Sequence, residues 1–291
     1  MQAKPSFHGT DPGLVMTEVV TGPDLTILRG VPAAGAVAGP LAVVFCSAGR
    51  QVRAAAAPEF AGSLRAAGRR ALFVFDPAMT WYADPAVVAR IVATIRDEMQ
   101  AVGAMQVDTI GFSMGAYGAM AFGAHLPVRF ALAIAPRFTP DPAILRDARA
   151  VPHLAGLSGR FAMPTLAEGM ARVQAGAIIH GTLGPDRPHL PLFPRLAAVD
   201  HWLMPGVGHE VPHQLKRLDL LRPVLHAALG ADRAALARLL RPHATRPRSA
   251  LGLRLLLTRE AIALRLRERR EARAPHPPFK APEEGHAHDQ I

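Results

Sequence analysis

Four short apolar runs, Leu41–Cys46 (LAVVFC), Ala71–Asp76 (ALFVFD), Val107–Phe112 (VDTIGF) and Phe130–Ala135 (FALAIA), punctuate the first half of the chain, and helix-like stretches follow most of them. A strand that is apolar at consecutive positions is buried on both faces, so these runs require a mostly parallel sheet with helices packed on each side. The fold class read from this pattern is α/β, a doubly wound and mostly parallel sheet. Helices are expected over Arg53–Ala67, Pro85–Val102 and Met114–Ala124, and an opening pair of strands over Leu14–Val20 and Leu25–Arg29, joined through Thr-Gly-Pro-Asp. Past Pro136 the periodicity weakens, and residues 137–163 read as an irregular cap or insertion. The pattern then resumes with a helix at Pro164–Gln174, a strand at Ala177–His180, a short helix at Leu190–Val199, a last strand at Asp200–Pro205 and a closing helix at Val211–Leu229, before Gly230.

Charge divides the chain differently. The formal net charge of +10 suggests nucleic acid until it is placed along the sequence. Residues 1–231 carry a net +4, residues 232–273 a net +8 from 12 arginines against four acidic residues, and residues 274–291 a net −2. The organisation that follows is a domain at 1–230, a basic helical extension at 231–273 with helices at Asp232–Arg241 and Leu251–Arg273, and a polar, proline-rich tail at 274–291 that reads as disordered. In the second helix, leucines and Ile262 alternate with Arg254, Arg265, Arg267, Arg269 and Arg270, a pattern suited to a packed helix, a protein partner or a membrane surface. Nucleic acid is disfavoured, because no interleaved aromatics or known module accompany the arginines. The single cysteine, Cys46, forbids an internal disulfide and leaves too few thiolates for a structural metal. The opening residues show no apolar signal-peptide core, so a cytoplasmic location is expected. No cofactor and no metal is expected. His286 and His288 form only a weak ligand pair in the tail.

The most informative residues are Gly111-Phe112-Ser113-Met114-Gly115, where an expected buried strand meets an expected helix. A strand that reverses sharply into a helix strains the residue at the bend and demands small neighbours two positions away, which Gly111 and Gly115 supply. With 25 glycines and six serines in the chain, chance would produce the G-x-S-x-G pattern about 0.04 times. A serine hydroxyl becomes a useful nucleophile when a histidine takes its proton and an acid orients that histidine. Of 13 histidines, His209 lies in a Gly-rich loop directly after the last expected strand; His201 falls inside that strand and His213 inside the next helix. Asp186, in Gly181-Thr-Leu-Gly-Pro-Asp-Arg-Pro-His, is the only carboxylate between Glu168 and Asp200 and is the chosen acid, with Asp141 and Asp147 as runners-up; His180 and His189 flank its loop. Oxyanion donors are expected from the amide of Met114 and from Ser47 or Ala48, after the first parallel strand. Arg50 is a candidate for an anionic substrate group, with Arg53 beside it, and Trp81 and Tyr82 for a substrate platform.

These residues resemble the α/β-hydrolase superfamily over positions 14–230, and FCSAGRQ, DPAMTWY and GFSMGAYGA are similar, more loosely, to a bacterial group associated with polysaccharide modification. The resemblance implies a serine hydrolase acting through an acyl-enzyme on an ester or acyl group, carried by a small molecule or a glycan. It also implies that Gly184 stands where the superfamily commonly carries its acid. An acyltransferase using the same triad, and a non-catalytic scaffold working through the basic helices, are the alternatives.

Overall fold

The computed structural model describes residues 13–48, 58–147, 154, 157, 159–247 and 249–273, without the side chains of 267, 268 and 270–273. Its centre is an eight-stranded sheet built from β1 (Leu14–Val20), β2 (Thr26–Pro32), β3 (Leu41–Phe45), β4 (Ala71–Phe75), β5 (Val107–Phe112), β6 (Val128–Ile134), β7 (Ala175–Gly181) and β8 (Val199–Met204). The spatial order is β1-β2-β4-β3-β5-β6-β7-β8. β1 and β2 pair antiparallel with each other, and β2 runs antiparallel to β4; every pairing from β4 to β8 is parallel.

Alternation along the central strands sends side chains to two cores. Leu41, Val43 and Phe45 face α2 (Pro85–Val102) and α3 (Met114–Ala121), whose Ile91, Ile95, Tyr117 and Met120 fill that side together with α4 (Ala167–Arg172). Ala42, Val44 and Cys46 face α1 (Ala61–Ala66), α5 (Val211–Arg217), α6 (Leu221–Leu229) and α7 (Arg233–Leu240) through Leu64, Leu215, Leu225 and Leu236. α2 starts where Asp84 accepts hydrogen bonds from the amides of Ala86 and Val87 and Pro85 fixes the first turn; it stops at Gly103 in the left-handed region. Buried Asp108 on β5 pairs with Arg69 at 2.9 Å and Arg129 at 2.7 Å, and both guanidiniums also donate to the carbonyl of Leu229, fixing the end of α6 on the sheet.

The extension continues directly from this body. Asp232 caps α7 by accepting from the amide of Ala235. Thr245 then pairs with Leu203 of β8 in an isolated bridge, and α8 (Ala250–Arg273) packs Leu253 and Leu257 against Leu190 and Leu203. Asp200 on β8 accepts from Arg233 and also pairs with Arg246.

Three expected elements differ. Leu190–Val199 is not a helix: a 3-10 segment runs over Gly184–Leu192 instead, and the chain is irregular up to β8. Pro188 and Pro191 lie within that segment and lack the amides an α-helix would use, and the chain takes the tighter 3-10 winding instead. The closing helix over Val211–Leu229 is two helices, because Asp219 adopts φ 55° between them and Pro223 falls in the first turn of α6, where its missing amide costs nothing. Of the helix expected over Arg53–Ala67, the part from Ala61 to Ala66 is observed, while 53–57 lie outside the described residues. The irregular stretch expected at 137–163 lies partly outside them as well.

Candidate active site

Ser113 stands between β5 and α3 with φ 57° and ψ −119°, a conformation few non-glycine residues adopt. The strain is held from several sides. The Ser113 amide donates to the Ile134 carbonyl at the end of β6, and its own carbonyl accepts from Ala116 and Tyr117 in the first turn of α3. A Cβ on Gly111 would overlap the Gly115 carbonyl, and one on Gly115 would overlap the Phe45 carbonyl. Both glycines are therefore needed for backbone to cross backbone at this bend. The Met114 amide opens α3, where the first amides have no acceptor within the helix and the aligned peptide dipoles favour negative charge.

β7 and β8 are neighbours, so the loops leaving their C-terminal ends are neighbours too. The first carries Asp186 in the 3-10 segment; the second carries His209 just before α5. They interlock through the Leu183 amide, which donates to the Val207 carbonyl at 2.9 Å. Gly181 permits this contact, because a Cβ there would overlap the carbonyls of Val207 and Gly208. The structure brings three expected residues into one chain: His209 Nε2 lies 2.9 Å from Ser113 Oγ, and His209 Nδ1 lies 2.6 Å from Asp186 Oδ2. The Asp186 side chain is 1% exposed and that of His209 is 22% exposed. The Phe112 ring packs against His209 with centroids 5.1 Å apart. Since the Asp186 carboxylate accepts, Nδ1 carries the hydrogen of a neutral His209 and Nε2 is left to accept from the Ser113 hydroxyl.

The runners-up lie elsewhere. Asp141 accepts from the amide of Ala143, and Asp147 pairs with Arg137 at 3.1 Å and His189 at 3.3 Å. His213 is on the surface beside Glu210. His201 is held within β8, where its Nε2 lies 2.8 Å from Nδ1 of the buried His180, whose Nε2 lies 2.6 Å from the Pro136 carbonyl. The carbonyl accepts only, so His180 donates from Nε2 and receives His201 Nε2–H at Nδ1. Burial pushes His180 down to about 4, holds His201 well below the usual histidine range and lowers His189.

Three expectations are corrected. Ser47 is not a free oxyanion donor: its amide donates to Glu59 Oε2 at 3.0 Å and its hydroxyl to Glu59 Oε1, because a carboxylate ahead of α1 reaches beneath the loop. Ala48, exposed beside it, is the remaining candidate. Tyr82 offers no platform, since it is fully buried, with its hydroxyl against the carbonyls of Cys46 and Val74. Trp81 is buried as well, with the Arg137 guanidinium 4.2 Å above its ring. Asp76 pins this turn by accepting from the Tyr82 amide and the Thr80 hydroxyl, and burial raises its carboxyl above the usual range. Arg50, Arg53, His286 and His288 lie outside the described residues.

One contributor had no local signal in the sequence. Glu260 of α8 accepts from the Gly206 amide at 2.8 Å, in the loop leading to His209, and from the Thr182 hydroxyl at 3.2 Å, in the loop leading to Asp186. Arg187, next to Asp186, donates to the Leu257 carbonyl at 2.7 Å. A single helix of the extension therefore grips both loops.

No protein family and no curated protein matches the chain. Solved structures do. Est1E from Butyrivibrio proteoclasticus aligns with 75% of this chain and 99% of its own at a TM-score of 0.50 and 13% identity. The Pyrococcus furiosus esterase Pf2001 aligns over 75% and 92% at 0.50 and 12%, and a 2,6-dihydroxy-pseudo-oxynicotine hydrolase over 76% and 70% at 0.52 and 13%. At such identities the likeness is one of fold.

Proposed function

We propose, on the premise that the chain has the α/β-hydrolase fold, that it is a serine esterase working through an acyl-enzyme. The observation that carries the reading is the chain Ser113 Oγ, His209 Nε2, His209 Nδ1, Asp186 Oδ2 at a strained strand-to-helix bend. Ser113 Oγ attacks the ester carbonyl as its proton passes to His209 Nε2. The imidazolium is stabilised by Asp186, and the negative carbonyl oxygen by the amides of Met114 and Ala48. The tetrahedral adduct collapses as His209 returns the proton to the departing alkoxide, leaving the acyl group on Ser113. Water, deprotonated by the same nitrogen, releases the carboxylic acid and restores the serine. Esters are favoured over amides because an alkoxide departs more readily than an amine. The looser resemblance of FCSAGRQ, DPAMTWY and GFSMGAYGA to a bacterial group associated with polysaccharide modification favours an acyl ester on a glycan.

A fluorophosphonate probe tests the mechanism directly. The expected result is stoichiometric labelling, with the adduct mapped by mass spectrometry to the peptide containing Ser113. Folded protein that takes no label, or takes it elsewhere, defeats the reading.

Glu260 is a positioning residue in this scheme. Glu260→Ala is expected to lower kcat for an activated ester about tenfold, the size of one lost charge-assisted hydrogen-bond pair, with KM little changed. Glu260→Gln, which keeps an accepting oxygen, restores most of the rate. Equal losses in both variants would indicate a merely structural contact.

A further inference from the structure

α8 uses only one face to sit on the body. Leu253 and Leu257 are nearly buried and Glu260 reaches the loops beneath them. At about 100° per residue, Leu251, Leu255, Ile262 and Leu266 fall together on the opposite face, and their exposures are 66%, 62%, 54% and 51%. They form an apolar ridge about 20 Å long. Arg254 and Arg265 flank it on one side and Arg259 on the other, all exposed. The helix has seven arginines against three glutamates, and Glu260 is turned inward.

An exposed apolar ridge flanked by guanidiniums is poorly suited to open water and well suited to a boundary. Apolar side chains enter the edge of an acyl layer, and arginines lie level with headgroup phosphates. The same charges disfavour other occupants. A second copy would bring its flanking arginines up to these arginines, and a nucleic acid would meet leucine where it needs cations. Among the described residues no helix is long and apolar enough to cross a membrane, so contact would lie along the surface. We propose that the outer face of α8 docks on an anionic lipid surface.

The test is co-sedimentation of the full chain with vesicles of phosphatidylcholine containing about 30% phosphatidylglycerol, against phosphatidylcholine alone. No ester substrate is present, so the outcome is independent of the esterase reading. Binding is expected to the anionic vesicles, to weaken as salt rises from about 0.05 to about 0.5 M, and to fall about tenfold or more in Leu255→Ser/Ile262→Ser. Both positions are exposed, so the variant keeps the fold, which circular dichroism checks. The proposal is overturned by no binding of the full chain to anionic vesicles, or by undiminished binding of the double variant. It is equally overturned by a dimer that the same substitutions dissociate in ultracentrifugation, or by an acidic protein partner captured in place of lipid by a chain that ignores vesicles.

Discussion

Ser113→Ala is expected to reduce turnover of an activated ester such as p-nitrophenyl acetate by about 10⁶-fold in kcat and to abolish fluorophosphonate labelling. The size follows from losing the atom that forms the covalent bond, not a group that assists it. Alanine keeps a Cβ at φ 57°, so the strained bend and its packing against Phe45 and Ile134 remain, and thermal stability should change little. The variant also leaves the His209–Asp186 pair intact, so residual turnover reports what histidine and the oxyanion amides achieve with water alone. Stopped-flow and endpoint assays of purified protein decide the matter, and a variant retaining a tenth of the parent rate would remove Ser113 from the nucleophilic role.

Asp186→Asn is expected to cost about 10⁴-fold in kcat while leaving the fold in place. The carboxylate is buried, and it only accepts hydrogen bonds, so it fixes the hydrogen on His209 Nδ1 at 2.6 Å and frees Nε2 to receive the serine proton. An asparagine amide can donate to Nδ1 instead, which transfers the imidazole hydrogen to Nε2 and points it at Ser113. It also removes the negative charge that stabilises the imidazolium. Asp141→Asn is the comparison, since Asp141 is engaged with the Ala143 amide and not with His209; its rate should stay within about twofold of the parent. If the Asp186 variant behaves like the Asp141 one, the acid has been misassigned.

Much of this site is local in sequence. β5 and α3 follow from an apolar run meeting a small-residue helix, and Gly111 is fixed by backbone crossing backbone within five residues, whereas Gly115 is fixed by the Phe45 carbonyl at the end of β3. The loop residues Asp186 and His209 were reachable because the strands before them could be read as consecutive and parallel. What escaped depends on distance or on proline. The broken helix at Asp219 had a sign in Pro223, which cannot lie in the middle of an uninterrupted helix without a clash. The 3-10 segment at Gly184–Leu192 had the same sign in Pro188 and Pro191. The capture of Ser47 by Glu59 and the burial of Tyr82 depend on where a loop folds back, and nothing in their neighbours in sequence encodes it. Glu260 lies 78 residues from Thr182, and that pairing exists only once the extension has docked.

The bridge between Leu203 and Thr245 has a consequence for handling the protein. β8 is the last strand of the sheet, and Thr245 satisfies both the amide and the carbonyl of Leu203, each at 2.8 Å. A strand edge whose hydrogen-bonding groups are open templates further strands from other molecules. Cutting the chain after Gly230 to isolate the sheet domain would bare that edge, uncover Leu190 and Leu203 from Leu253 and Leu257, and strip Asp200 of Arg233 and Arg246. The shortened protein would be prone to aggregate through β8, and the stretch of chain that looks most like an appendage also covers part of the sheet's edge.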